Sequence, residues 1–262
     1  MKRLANKVAV VYGDGAIGSA VAKAFAKQGA RVFLTGRTAA KLDAIAEEIL
    51  SEGGTAEIAR LDALDEPAVE KHMNEVIRKT GKIDISFNAI GIPQTGIQGT
   101  ALTELSVESF SLPITTYTQS HFITAKAAAK HMVKQGKGVI VMHTPNASRT
   151  SNPFVGGMVP AWAALEAFCR SLSVECAQYG VRTVCLLTTG MPETPLIDEV
   201  WDIHGKSHGI SFEQFNTVME SATHRQRLTT LEELTNAAVF ATSDEGSGMT
   251  GTVFNLTAGM VC

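Results

Sequence analysis

Short apolar runs alternate with amphipathic stretches along nearly the whole chain. "KVAVVYG", residues 7–13, is a continuous β-rich run of the kind buried on both faces of a sheet. Behind it Ile17, Ala20, Val21, Ala24 and Phe25 recur at helical spacing. The same alternation predicts strands at "ARVFLTG" (30–36), "TAEIARLD" (55–62), "KIDISFNAIG" (82–91), "GKGVIVMH" (136–143), "VRTVCLLTTG" (181–190) and "GTVFNL" (251–256).

Helices are expected between the strands. Leu42, Ile45, Ala46 and Ile49 form one apolar face, with Thr38 placed to cap it. Residues 65–81 form another, with Pro67 in the first turn. A Gly- and Thr-rich loop at about 91–105 leads into a long helical region reaching Lys134. A further helix covers 161–180. Residues 191–229 read as a less regular segment, with Ser211 and Gln214 able to form a capping box for a helix inside it. Thr230 and Glu233 offer a second box for the next helix.

Strands alternating with helices imply an α/β fold: one Rossmann-like, doubly wound, parallel seven-stranded sheet with helices on both faces, spanning 1–262 as a single domain. Right-handed crossovers then gather the strand C-termini along one edge, where such folds bind ligands.

Composition narrows the class. Apolar residues make up 45% and charged residues 19%, with a net charge of −3, so nothing favours a nucleic acid partner. No apolar stretch reaches membrane-spanning length. Cys169, Cys176, Cys185 and Cys262 match no common metal spacing, so no metal is expected, and a reduced cytoplasmic setting is the simplest reading.

Candidate chemistry begins at the first turn. Gly13-Asp14-Gly15-Ala16-Ile17-Gly18 is a G-x-G-x-x-G between a strand and a helix. Glycines let backbone approach a pyrophosphate, and the helix N-terminus supplies N–H donors. The alternative is a tight packing turn. Asp14 puts a carboxylate near the diphosphate path, at a cost unless it points away or is paired. Strands that bind NAD usually end in an acidic residue. Here Gly36 stands there with Arg37 beside it. An arginine fork suits a 2′-phosphate, so NADP(H) is favoured over NAD(H), unless Arg37 is simply solvated.

Several further pieces follow in order: "TGR" (35–37), "LDA" (61–63), "FNAIG" (87–91), "ALEAFCRSLSVECAQYGVR" (164–182), "TTGMPETP" (188–195) and "MTGTVFNLTAG" (249–259). Together they resemble the short-chain dehydrogenase/reductase family over nearly the whole chain. The resemblance implies nicotinamide-dependent oxidoreduction of a small-molecule substrate, and dimers or tetramers built on the two long helices beside the active site. It implies cofactor roles for Gly13, Gly15, Ile17, Gly18, Asp62 and Ala63 at the adenine and diphosphate end, and for Asn88, Gly91, Gly190 and Thr194 nearer the nicotinamide. It also makes 191–229 the substrate lid.

The family's Asn-Ser-Tyr-Lys tetrad is not carried over. Alignment on "AALEAF" places Met158 at the tyrosine, Trp162 at the lysine, Pro145 at the serine and Tyr117 at the asparagine. A methionine and a tryptophan cannot exchange protons; they would make that wall apolar, or pack into an oligomer or domain core. Candidate replacements are Tyr117 and His121, an i, i+4 pair, together with His143 and Thr144. His204 and His208 fall in the lid, where solvated loop histidines are the expectation.

Three functions follow from these residues. The first is a divergent NADP(H)-dependent oxidoreductase for a small apolar carbonyl or alcohol. The second is a ligand-binding protein without turnover. The third is a non-redox enzyme using the same pocket.

Overall fold

The computed structural model describes residues 2–150 and 152–261, so Cys262 lies outside the described residues. Seven strands form one sheet: β1 (Val8–Tyr12), β2 (Arg31–Gly36), β3 (Thr55–Arg60), β4 (Ile85–Asn88), β5 (Gly138–Pro145), β6 (Val181–Thr188) and β7 (Thr252–Leu256). Their order is β3-β2-β1-β4-β5-β6-β7, and every pairing is parallel. The order reverses between β1 and β4, which opens a crevice beyond their C-terminal ends.

Eight α-helices cover the sheet: α1 (Ala16–Lys27), α2 (Ala39–Ser51), α3 (Glu66–Thr80), α4 (Val107–Gln135), α5 (Met158–Cys176), α6 (Pro195–His208), α7 (Phe212–Ser221) and α8 (Leu231–Thr242). Strand alternation divides the core into two layers. Ala9 and Val11 pack with Val21, Phe25, Leu42 and Leu234 from α1, α2 and α8. Val8, Val10 and Tyr12 pack with Met73, Ala128 and Cys169 from α3, α4 and α5. This two-sided burial explains why the strands read as continuous apolar runs.

Two expectations need correction. Residues 191–229 are not irregular, because two helices, α6 and α7, occupy most of them. Thr38 stands at the N-cap of α2, but its side chain makes no capping bond. Its backbone N–H instead donates to the Asp14 carboxylate at 2.9 Å. Both capping boxes form, at Ser211–Gln214 and at Thr230–Glu233.

Candidate active site

The glycine turn lies at the C-terminal end of β1. Gly13 holds a positive φ of 117°, and a Cβ there would lie 2.6 Å from the Ala89 carbonyl oxygen. A Cβ on Gly18 would sit 2.0 Å from the Gly13 carbonyl oxygen, so α1 packs on this turn only through glycine. Gly15 caps α1 without a side-chain bond, and no acidic residue stands in the first turn. A Cβ at Gly15 or at Gly91 would meet nothing within 4 Å, leaving open space along the crevice. The first-turn N–H groups of α1 thus meet neither a capping side chain nor a carboxylate on that turn.

Asp14 turns away from that helix end. Its Oδ2 accepts the Thr38 N–H, and its carboxylate covers the Cα of Gly36 so closely that a Cβ there would lie 2.8 Å from it. The pairing expected to relieve Asp14 is therefore made with the start of α2. Arg37 is exposed, and among the described residues its side chain makes no ion pair or hydrogen bond. Asp62 is exposed and accepts the Leu64 N–H at 3.0 Å, while Ala63 beside it is buried.

At the centre, Asn88 closes β4. Its amide donates to the Thr124 hydroxyl, and its oxygen accepts the Ile90 N–H, both at 3.0 Å. A cavity of about 360 Å³ opens beside it. Ile17, Asn88, Gly91, Gly190 and Thr194 reach this cavity, whereas Gly13, Gly15, Gly18, Arg37, Asp62 and Ala63 lie outside it. The predicted cofactor residues thus divide into an adenine and diphosphate side and a side that opens onto the cavity.

Of the proposed replacement residues, Tyr117, His121 and His143 line the cavity, as do Pro145 and Trp162 from the aligned serine and lysine positions. Thr144 does not. It is fully buried on the opposite face of β5, 3.4 Å from the Cys185 sulfur, because strand side chains alternate. Met158 does not reach the cavity wall either: it is 0% exposed at the start of α5, packed with Ile97, Val155 and Leu165.

Trp162 and Tyr117 meet across α5 and α4, with ring centroids 6.3 Å apart. Burial pushes the Tyr117 pKa up to about 12, opposed by the nearby Trp162 indole and Ile92 backbone. Tyr117 and His121 do not form the side-chain pair that their spacing allows. The His121 Nδ1 instead donates to the Tyr117 backbone carbonyl at 2.9 Å. A carbonyl only accepts, so this fixes the tautomer. The His121 Nε2 is left as a buried lone pair without a partner among the described residues. Burial holds His121 neutral, with a pKa lowered to about 4. His143, bonded through Nε2 to the Thr188 hydroxyl at 2.9 Å, is lowered to about 4 by burial and by the proximity of His121.

The segment 191–229, expected as the lid, also reaches the cavity. His204 is buried rather than solvated, and its Nε2 lies 2.7 Å from the Gln98 oxygen. Gln98 donates to Gln94, and Gln94 to the Ile92 carbonyl, so a polar thread joins α6 to Ile92 in the loop before α4. His204 also stacks on Phe215 at 5.7 Å. Leu196, Val200, Trp201, Val218 and Met219 complete an apolar wall. Gln94 and Gln98 lay in a loop whose only sequence signal was its glycines and threonines. The aromatic residues of 191–229 were the one available pointer to the wall.

A parallel sheet with this strand order, a glycine turn at β1 and a cavity beyond β4 and β6 defines a dinucleotide-fold protein of the oxidoreductase type. The family described as Enoyl-(Acyl carrier protein) reductase matches residues 11–261. A Bacillus subtilis (strain 168) protein named uncharacterized oxidoreductase YxbG is 30% identical over 252 residues, covering 96% of this chain and 89% of its own. Gluconate 5-dehydrogenase of Gluconobacter oxydans (strain 621H) is 27% identical, over 93% of this chain and 90% of its own. The crystal structure of a putative short-chain dehydrogenase/reductase from Burkholderia xenovorans superposes with a TM-score of 0.86 at 25% identity, over 100% of both chains. The chain belongs to the short-chain dehydrogenase/reductase family of oxidoreductases.

Proposed function

We propose that this protein is a nicotinamide-dinucleotide-dependent reductase of small apolar carbonyl compounds, with Tyr117 as its proton donor. The observation that carries the reading is the Tyr117 phenol on the cavity wall beside Trp162, the residue aligned with the family's lysine, their ring centroids 6.3 Å apart. The phenol faces the same cavity as Asn88, Gly190 and Thr194.

The open crevice at Gly15 and Gly91 and the uncapped N-terminus of α1 fit a dinucleotide. When bound in reduced form, it supplies the hydride. Tyr117 gives its hydroxyl proton to the substrate oxygen as negative charge develops there. Trp162 and Ile92 then hold the resulting phenolate through their N–H groups. A neutral indole stabilises that phenolate less than a lysine would, so reduction is favoured over alcohol oxidation, which must begin from the phenolate. His121 stays neutral and offers its Nε2 lone pair to a donor group on the substrate. The lid excludes water behind an apolar wall. Arg37 is the support for NADP(H) over NAD(H); Asp14 works against it.

The test is the purified protein with NADH or NADPH and a panel of apolar aldehydes and ketones. Turnover is expected, and Tyr117→Phe is expected to lower kcat about a hundredfold with dinucleotide affinity unchanged. Tight dinucleotide binding without turnover on a broad panel would replace this reading with that of a binding protein. Turnover indifferent to Tyr117→Phe would remove the proton donor from it.

A further inference from the structure

A carboxylate at the end of β2 is what selects an unphosphorylated ribose in folds of this kind, because its oxygens accept hydrogen bonds from the ribose hydroxyls. By sequence that place is vacant, since Gly36 holds it. In space it is filled. Asp14 reaches across from the glycine turn, and its Cβ, Cγ and Oδ2 all lie 2.8 Å from where a Gly36 Cβ would stand. The Thr38 N–H locks this position through Oδ2 at 2.9 Å. Oδ1 has no partner among the described residues.

We infer that Asp14 is the ribose-selecting residue of this protein and that it favours NAD(H) over NADP(H). The inference rests on the dinucleotide reading above. It also accounts for two features together. Gly36 is glycine because any side chain there would strike Asp14. Asp14 is tolerated in a phosphate-binding turn because its charge is directed to the ribose end, away from the first turn of α1.

Two cations stand nearby and must be weighed. Arg60 pairs in register with Gly36, and its Nε donates to the Arg37 carbonyl at 3.1 Å. Both arginines are exposed, so water and salt screen them, and the Arg37 side chain makes no bond among the described residues that holds it in one geometry. Asp14 is half-buried, on a short side chain fixed by a backbone bond. A 2′-phosphate would bring two negative charges against that fixed carboxylate, whereas a free 2′-hydroxyl would donate to its open oxygen.

The experiment is a fluorescence or calorimetric titration of the full chain with NADH and with NADPH, without substrate. NADH is expected to bind about tenfold tighter or more. Asp14→Asn keeps the shape and the bond from Thr38 while removing the charge; it should bring the two affinities within about threefold, mostly by strengthening NADPH. Arg37→Ala should leave NADH affinity unchanged. Equal affinities in the unaltered protein, or tighter NADPH binding that Arg37→Ala abolishes, would overturn the inference while leaving the dinucleotide reading intact. No binding of either nucleotide by the unaltered protein, with melting showing it folded, would overturn both.

Discussion

The rings of Trp162 and Tyr117 meet at the cavity wall with centroids 6.3 Å apart, joining α5 to α4. In the proposed reaction the Trp162 indole N–H supports the Tyr117 phenol as it loses its proton. Trp162→Phe keeps the packing and removes the N–H. Its kcat for carbonyl reduction should fall about tenfold to a hundredfold, with dinucleotide affinity unchanged. Steady-state kinetics beside a nucleotide titration checks this, and an unchanged kcat would show that the indole only packs.

Gly18 admits no side chain, because a Cβ would lie 2.0 Å from the Gly13 carbonyl oxygen. Gly18→Ala must push α1 off the turn. The expected cost is about 2–4 kcal/mol, together with loss of dinucleotide binding. Thermal or urea unfolding reads the first effect and titration the second. Gly15→Ala, which meets open space, should cost far less stability and serves as the control.

Three cavity histidines set the acid limit. His121, His143 and His204 each have a folded pKa lowered to about 4, chiefly by burial. The unfolded chain therefore binds more protons than the folded one between about pH 6.5 and pH 4. Stability is full above about pH 6.5 and falls as pH drops through that window. The melting temperature should decline steadily from pH 7 to pH 4.5. Replacing His121 with Gln should flatten the decline, and a curve parallel to that of the unaltered protein would show that His121 titrates normally.

If 191–229 closes over the substrate as proposed, its aromatic residues act on substrate affinity rather than dinucleotide affinity. His204 stacks on Phe215 and reaches Gln98, tying α6 and α7 to the loop before α4. Phe215→Ala removes that stack and part of the apolar wall. KM for an apolar carbonyl should rise about tenfold, corresponding to roughly 1.4 kcal/mol, with little change in nucleotide affinity. A matched weakening of nucleotide binding would place the lid over the cofactor instead.

The amino-acid order alone determined the layered α/β architecture, the seven strands and most of the helices. Those features are local: strands buried on both faces must be continuously apolar, and their helices carry a 3.6-residue stripe. It also located the glycine turn, which is read as spacing. It read 191–229 as less regular with one capped helix, where both α6 and α7 form. It placed Thr144 in the site, although its face of β5 points into the core.

Tertiary structure decided what depends on groups distant in sequence. Only the fold directs Asp14 over Gly36, buries His204 against Gln98, and brings Trp162 to Tyr117 across two helices. Hydrogen bonds and charges act over a few ångströms, and the chain closes those distances only once the sheet has set where its helices lie.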